Sequence, residues 1–168
     1  MDKRLYILAE FDGAAQEKIR DLAKLLRENN LEGTQTKDIP YHITLGSYAA
    51  NIENDLMILL DEIEKNITAF DVSFGSLGLF GLKVLFLNPD MSLELIELYN
   101  YIKGKSPHEG DNLSAHATLL IDEPESILKA LPLLAGKFRA FGGKVKYLSL
   151  YEFFPARFIG RIELREKA

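Results

Sequence analysis

Two short stretches of this chain hold the side chains best suited to chemistry. Tyr41-His42-Ile43-Thr44-Leu45 and Ala115-His116-Ala117-Thr118-Leu119 share the tetrapeptide His-x-Thr-Leu, in a chain with only three histidines. Imidazole titrates near neutrality, so two histidines can supply a general base and a general acid at physiological pH. A threonine hydroxyl both donates and accepts, which makes it a good ligand for non-bridging phosphate oxygens. If each tetrapeptide is a strand, alternation places His42 and Thr44 on one face and Ile43 and Leu45 on the other. The same parity separates His116 and Thr118 from Ala117 and Leu119. Two such pairs converging across a groove suit in-line displacement at phosphorus. One histidine would deprotonate the attacking oxygen and the other would protonate the leaving oxygen. A 2′,3′-cyclic phosphate is an apt substrate, because its leaving ribose oxygen needs a proton and its strained ring needs no metal.

The elements that must position these residues can be read from periodicity. Arg4 to Phe11 is rich in strand formers and Asp12-Gly13 is turn chemistry. From Ala14 to Asn29 the residues Ile19, Leu22, Ala23 and Leu26 fall on one helical face. Leu31 to Pro40 reads as a loop and Tyr41 to Tyr48 as a strand. Asn51 is expected to cap a helix whose stripe runs from Ile52 to Ile67, and Ala69 to Phe80 reads as a strand. The order then recurs. Lys83 to Leu87 is a strand, Ser92 to Lys103 a helix, Gly104 to Asn112 a loop and Leu113 to Ile121 the second motif strand. Pro124 suits the first turn of a helix that Pro132 is expected to kink or break. Gly142-Gly143 reads as a turn, followed by strands over Lys144 to Phe154 and Arg157 to Leu164.

Both halves thus follow strand, helix, loop, His-x-Thr-Leu strand, helix, strand, which points to an internal duplication. No linker composition separates them. The expected fold is α+β: one domain over residues 1–168, bilobal, with two antiparallel or mixed sheets, helices outside and a central groove.

Composition narrows the function classes. Hydrophobic residues at 47% and charged residues at 27% are an ordinary globular balance. A formal net charge of -5 argues against a broad nucleic-acid surface, which would be basic. With no cysteine, thiolate catalysis, disulfides and Cys-based zinc sites are excluded. The apolar run near the N-terminus is short and broken by Glu10 and Asp12, a poor signal peptide, and no run is long enough to span a bilayer. A cytoplasmic protein is the expectation.

The paired motifs His42-Ile43-Thr44-Leu45 and His116-Ala117-Thr118-Leu119 resemble the two signatures of the two-histidine phosphoesterase superfamily, which includes RNA 2′,3′-cyclic phosphodiesterases, also called 2′-5′ RNA ligases. Length, motif separation and duplicated order all fit that resemblance. It implies a bilobal α+β fold with the site between the lobes, and chemistry that needs no metal or other cofactor. It also implies catalytic roles for His42 and His116 and phosphate binding by Thr44 and Thr118. The substrate would be a small nucleotide or an RNA-end phosphoester. Two other readings keep the fold: a nucleotide-binding module without turnover, and a 2′-5′ ligase-like activity.

Other candidates are weaker. Tyr48 shares strand parity with His42 and Thr44, so it could stack on a ring at the groove edge or simply pack. Lys144, Lys146, Arg157 and Arg161 could help hold phosphate or protect a strand edge. His108 sits in a polar loop and reads as solvated, and three histidines at these spacings form no zinc pattern.

Overall fold

In the computed structural model, residues 2–106 and 113–168 are described. The alternating opening forms strand β1 (Arg4–Phe11), and Asp12 then starts helix α1 (Gly13–Glu28) by accepting the Ala15 N–H at 3.1 Å. That bond satisfies one of the first-turn amides that a helix leaves without a partner. Ile19, Ala23 and Leu26 are the buried stripe of α1, as periodicity requires. Strand β2 (His42–Ala49) carries the first motif and helix α2 (Glu53–Asn66) follows it. Strands β3 (Phe70–Phe80) and β4 (Val84–Pro89) precede helix α3 (Leu93–Lys105), which Ser92 caps through the Leu95 N–H. The second motif reaches strand β5 (Ala117–Ile121), followed by helix α4 (Pro124–Lys137). Two long strands, β6 (Phe141–Phe153) and β7 (Arg157–Glu163), close the chain. His108 and most of the loop expected around it lie outside the described residues.

Two local expectations are corrected, at Asn51 and Gly142-Gly143, and a third, the kink or break at Pro132, loses its second alternative. Asn51 does not cap α2: it lies inside a short 3-10 turn, Ala50–Ile52, so its backbone is already helical where a cap needs extended geometry. Pro132 does not break α4, which runs from Pro124 to Lys137. The carbonyl it leaves unpartnered is that of Leu128, an exposed residue, where water can replace the lost donor. Gly142-Gly143 is not a turn but the start of β6, paired with Ser73 and Val72 of β3. Glycine is required at 143 by close approach: a Cβ there would lie 2.5 Å from the Cβ of Ala15 and 2.9 Å from an Asp12 carboxylate oxygen. The first turn of α1 is seated against the sheet at this point. Gly143→Ala is therefore expected to destabilise the fold by about 1–3 kcal/mol through overpacking, read as a lower denaturant midpoint at unchanged slope.

The sheet is the main correction to the expected architecture. Among the described residues all its ladders are antiparallel, and they join seven strands into one sheet of order β2-β1-β6-β3-β4-β5, with β7 also on β6. Two sheets were expected, but β6 is long enough to serve both parts of the molecule. Along one edge its start pairs with β3 (Phe141 to Val145) and its later part with β7 (Tyr147 to Glu152). Its other edge pairs with β1 from Val145 to Phe153.

The α+β class holds, with four α-helices packed on the sheet among the described residues. One face of the sheet and the buried helical stripes form the main core, including Ile7, Ala9, Ile43, Leu45, Leu56, Leu60, Leu119 and Leu148. Residues of the opposite parity, such as Leu8, Tyr151 and Phe153, form a second and smaller cluster on the other face. No described helix is long and apolar enough to cross a membrane.

Candidate active site

The two motif strands stand at opposite ends of the strand order, yet β2 and β5 approach within 8 Å at Cα. The sheet curls to bring its ends together. The loop between α1 and β2 ties the junction. The Thr34 N–H donates to the Ile121 carbonyl at 2.7 Å, and the Ile121 N–H donates to Gln35 Oε1 at 3.0 Å. At the far end of that loop, Gln16 of α1 clamps the backbone of Tyr41. Its Nε2 donates to the Tyr41 carbonyl at 2.7 Å, and its Oε1 accepts the Tyr41 N–H at 2.9 Å. The position of His42 is thus fixed from α1 through the residue before it.

Parity within the motifs is as alternation requires. Ile43, Leu45, Ala117 and Leu119 are buried in the core, while His42, Thr44, His116 and Thr118 are half-buried on the other face. Both strands then break register at the same place. On β2, Thr44 pairs with Leu8 and Gly46 with Ile7, leaving Leu45 as an extra residue. On β5, Thr118 pairs with Phe86 and Leu120 with Leu85, leaving Leu119 extra. The leucine of each His-x-Thr-Leu is therefore the inserted residue of a β-bulge, a device that bends a strand and re-aims its side chains.

The bulge overturns the expectation for Tyr48. After the extra residue parity reverses, so Tyr48 pairs with Leu5 on the core face and is 2% exposed. It is no part of a groove edge. Burial pushes its hydroxyl pKa above the ordinary tyrosine value.

The histidine rings are held in matching ways. His42 Nδ1 lies 2.8 Å from the Pro40 carbonyl, and His116 Nδ1 lies 2.6 Å from the Ser114 carbonyl. A carbonyl can only accept, so Nδ1 carries the proton in both rings and Nε2 is left for other partners. Phe80 and Phe86 pack on the His116 ring at centroid distances of 4.8 and 5.3 Å. A cavity of about 650 Å³ is lined by His42, Thr44, Thr118, Leu119 and the loop from Gln35 to Tyr41.

Burial lowers the pKa of His42 below the ordinary imidazole value. The hydrogen bond to Pro40 works against that shift, and the charge of His116 adds to it. An NMR titration should place the His42 midpoint below about 6.5, and His116→Ala should move it upward by removing the neighbouring positive charge. The stability linkage has the matching sign. The neutral ring is favoured by folding, so its contribution is present above about pH 6.5 and is lost as the pH falls through the lower folded value.

The cations on the last strands are engaged elsewhere. Lys144 is paired with Glu166 and Asp71, Lys146 with Glu163, and Arg157 with Glu152 and Glu53. Arg161 Nη2 lies 2.7 Å from Glu10 Oε1, while the Ser149 hydroxyl donates to Glu10 Oε2 at 2.6 Å. Glu10 is buried and stands directly across the β1–β2 ladder from His42. This network, the Gln16 clamp and the two anchoring carbonyls were not read from sequence. The equal spacing of Pro40 from His42 and Ser114 from His116 is a signal that could have found the last of these.

A single antiparallel sheet whose two end strands, carrying the His-Thr pairs, approach one another is a fold that this chain shares with solved structures over nearly its whole length. Among solved structures, E. coli LigT complexed with NADP+ superposes with a TM-score of 0.66 at 20% identity, covering 99% of this chain and 100% of LigT. A structure described as a phosphoesterase gives 0.66 at 18% identity, over 98% of this chain and 99% of its own. TT0787 of Thermus thermophilus gives 0.66 at 12% identity, over 98% and 100%. No protein-family model matches the sequence, and no curated protein matches it.

Proposed function

We propose that this chain is a phosphoesterase of the two-histidine type, working as a single domain. In this reading it opens a 2′,3′-cyclic phosphate or a related nucleotide phosphoester. The observation that carries the reading is the doubled arrangement itself. Each end strand offers a half-buried histidine with Nδ1–H held by a carbonyl two residues back, and a threonine hydroxyl on the same face. That leaves two Nε2 atoms for proton transfer, one to remove a proton from the attacking water and one to return a proton to the leaving oxygen. Thr44 and Thr118 donate to the non-bridging oxygens, where charge builds as phosphorus becomes five-coordinate. Neither step calls on a metal ion. Support for a nucleotide substrate comes from LigT, whose structures hold NADP+, ATP, 3′-AMP and phosphate.

The test is hydrolysis of 2′,3′-cyclic nucleotides by the purified protein in excess chelator. Release of the monoester is the expected result. An absence of hydrolysis, or its loss on adding chelator, would remove the reading.

A further inference from the structure

We propose that Arg20 and Arg27 of α1, with Lys37 of the loop that follows, form a second anion subsite beside His42, so that the substrate is a phosphoester bearing a further phosphate away from the reacting one. This rests on the function proposed above and adds a requirement that the two histidines do not impose. The chain carries a formal net charge of -5, yet the cavity at its site is locally basic. Arg20, Arg27 and Lys37 line the same cavity as His42, Thr44 and Thr118, and Asp38 is the acidic residue among the described lining. Lys24 of α1 is held by Glu28, but neither Arg20 nor Arg27 is ion-paired among the described residues. Lys37 meets Glu32 at 3.4 Å with both side chains exposed, a surface pair weak enough for a bound anion to replace.

The periodicity of α1 brings both arginines to the site. Gln16 clamps the backbone of Tyr41, the residue before His42. Arg20 is one turn further along the same helical face, about 6 Å, and Arg27 is nearly two turns beyond it, about 10 Å. Between them on that face lies Ala23, which is buried and lines the cavity. A methyl group there leaves open a recess that a larger side chain would fill. Both arginines are exposed, with their stems on the helix and their heads free to turn toward a ligand. Tyr41 feels both charges. Burial raises the pKa of its hydroxyl, while the charges of Arg27 and Arg20 and a hydrogen bond with Arg27 oppose that rise. The two positive fields therefore meet within one residue of His42. The helix dipole accounts for Arg27, in the last turn, but not for Arg20 in the middle of the helix. Guanidiniums that no carboxylate neutralises present paired donors that match phosphate oxygens. A cavity of about 650 Å³ is in the range that encloses a whole small molecule, so one ligand can reach both the threonines and the arginines.

The experiment is calorimetric titration of the full chain with 3′-AMP, adenosine 3′,5′-bisphosphate and adenosine 3′-phosphate 5′-diphosphate, a series that changes only the charge and reach of the second anion. Wild type should bind at least one of the longer members more tightly than 3′-AMP, by about tenfold to a hundredfold. That margin should shrink toward unity in Arg20→Gln and in Arg27→Gln and narrow with added salt. Lys24→Gln should leave it whole, because Lys24 is held by Glu28 and is not part of the cavity lining. Circular dichroism verifies that each variant is folded. Equal affinity across the series overturns the proposal, as does a margin untouched by both arginine variants. A margin that falls as far in Lys24→Gln also overturns it, since net charge rather than a site would then be at work. Failure of the whole series to bind overturns the subsite and the phosphoester reading together. Hydrolysis of cyclic nucleotides with no gain from a second phosphate removes only the subsite, whereas the gain without hydrolysis removes only the enzymatic reading.

Discussion

Replacing either histidine by alanine is expected to lower kcat for 2′,3′-cyclic nucleotide hydrolysis by about 10²–10⁴-fold, the usual worth of a positioned general acid or base. His42→Ala and His116→Ala should have effects of similar size, because the two rings are held alike. Each has Nδ1 on the carbonyl two residues before it, at 2.8 and 2.6 Å, and each shares its strand face with a threonine. The losses should be far from additive in the double variant: with one proton transfer gone, the remaining imidazole has little of the concerted step left to assist. KM should change less than kcat, since the threonines and the cavity wall remain. Thr44 and Thr118 sit two residues from their histidines on the same face, so removing an imidazole leaves their hydroxyls in place. Stopped assays of monoester release, with kcat and KM separated, decide the matter. Full activity in either variant would rule out the two-histidine mechanism even if the protein hydrolysed the substrate.

Much of this site was legible in the sequence because its two halves repeat. The alternation of His42 and Thr44 against Ile43 and Leu45 needed only the period of a strand, and so did its counterpart on β5. Each helix that packs beneath them announced itself by an apolar stripe, as Ile19, Ala23 and Leu26 did for α1. What parity could not give was the irregular step after each motif. A bulge inserts one residue into one strand of a pair, and its position depends on the partner strand, which local sequence does not name. Hence Leu45 and Leu119 read as ordinary core leucines, and Tyr48, beyond the bulge, was placed on the wrong face. The shared leucine was in plain view as part of the repeat; its role in breaking register was not.

Pairing between distant segments was equally hidden. Gly142-Gly143 has the composition of a turn, and only the seating of Ala15 and Asp12 above residue 143 explains a glycine inside a strand. The length of β6 follows from that correction: with the glycines inside it, the strand reaches β3, and two expected sheets become one. The cations of the last strands have the same lesson. Lys146 and Arg161 look available in sequence, but their partners, Glu163 and Glu10, are supplied by strand pairing and by a residue far away in the chain.

Arg161→Met is expected to have the largest effect on stability, a loss of about 2–4 kcal/mol, at or below the usual range for breaking a buried ion pair because Arg161 itself is partly exposed. Glu10 is the buried partner, at 1% exposure, and with Arg161 gone the Ser149 hydroxyl is what remains on its carboxylate among the described residues. The substitution also removes the guanidinium that lies over Tyr147, its Cζ 5.2 Å from the ring centroid, so part of the loss is that contact rather than the ion pair. The companion variant Glu10→Gln with Arg161→Met should recover most of the stability, because a neutral amide no longer strands a charge in the sheet. A cycle of the four proteins by denaturant unfolding isolates the pair. The same substitution reaches the site. Glu10 faces His42 across the ladder, at the short range of cross-strand neighbours. An unneutralised carboxylate there favours imidazolium, so Arg161→Met should raise the His42 titration midpoint while the double variant returns it toward the wild-type value. A midpoint that ignores both changes would mean that the buried network supports the strand without setting the charge of the histidine.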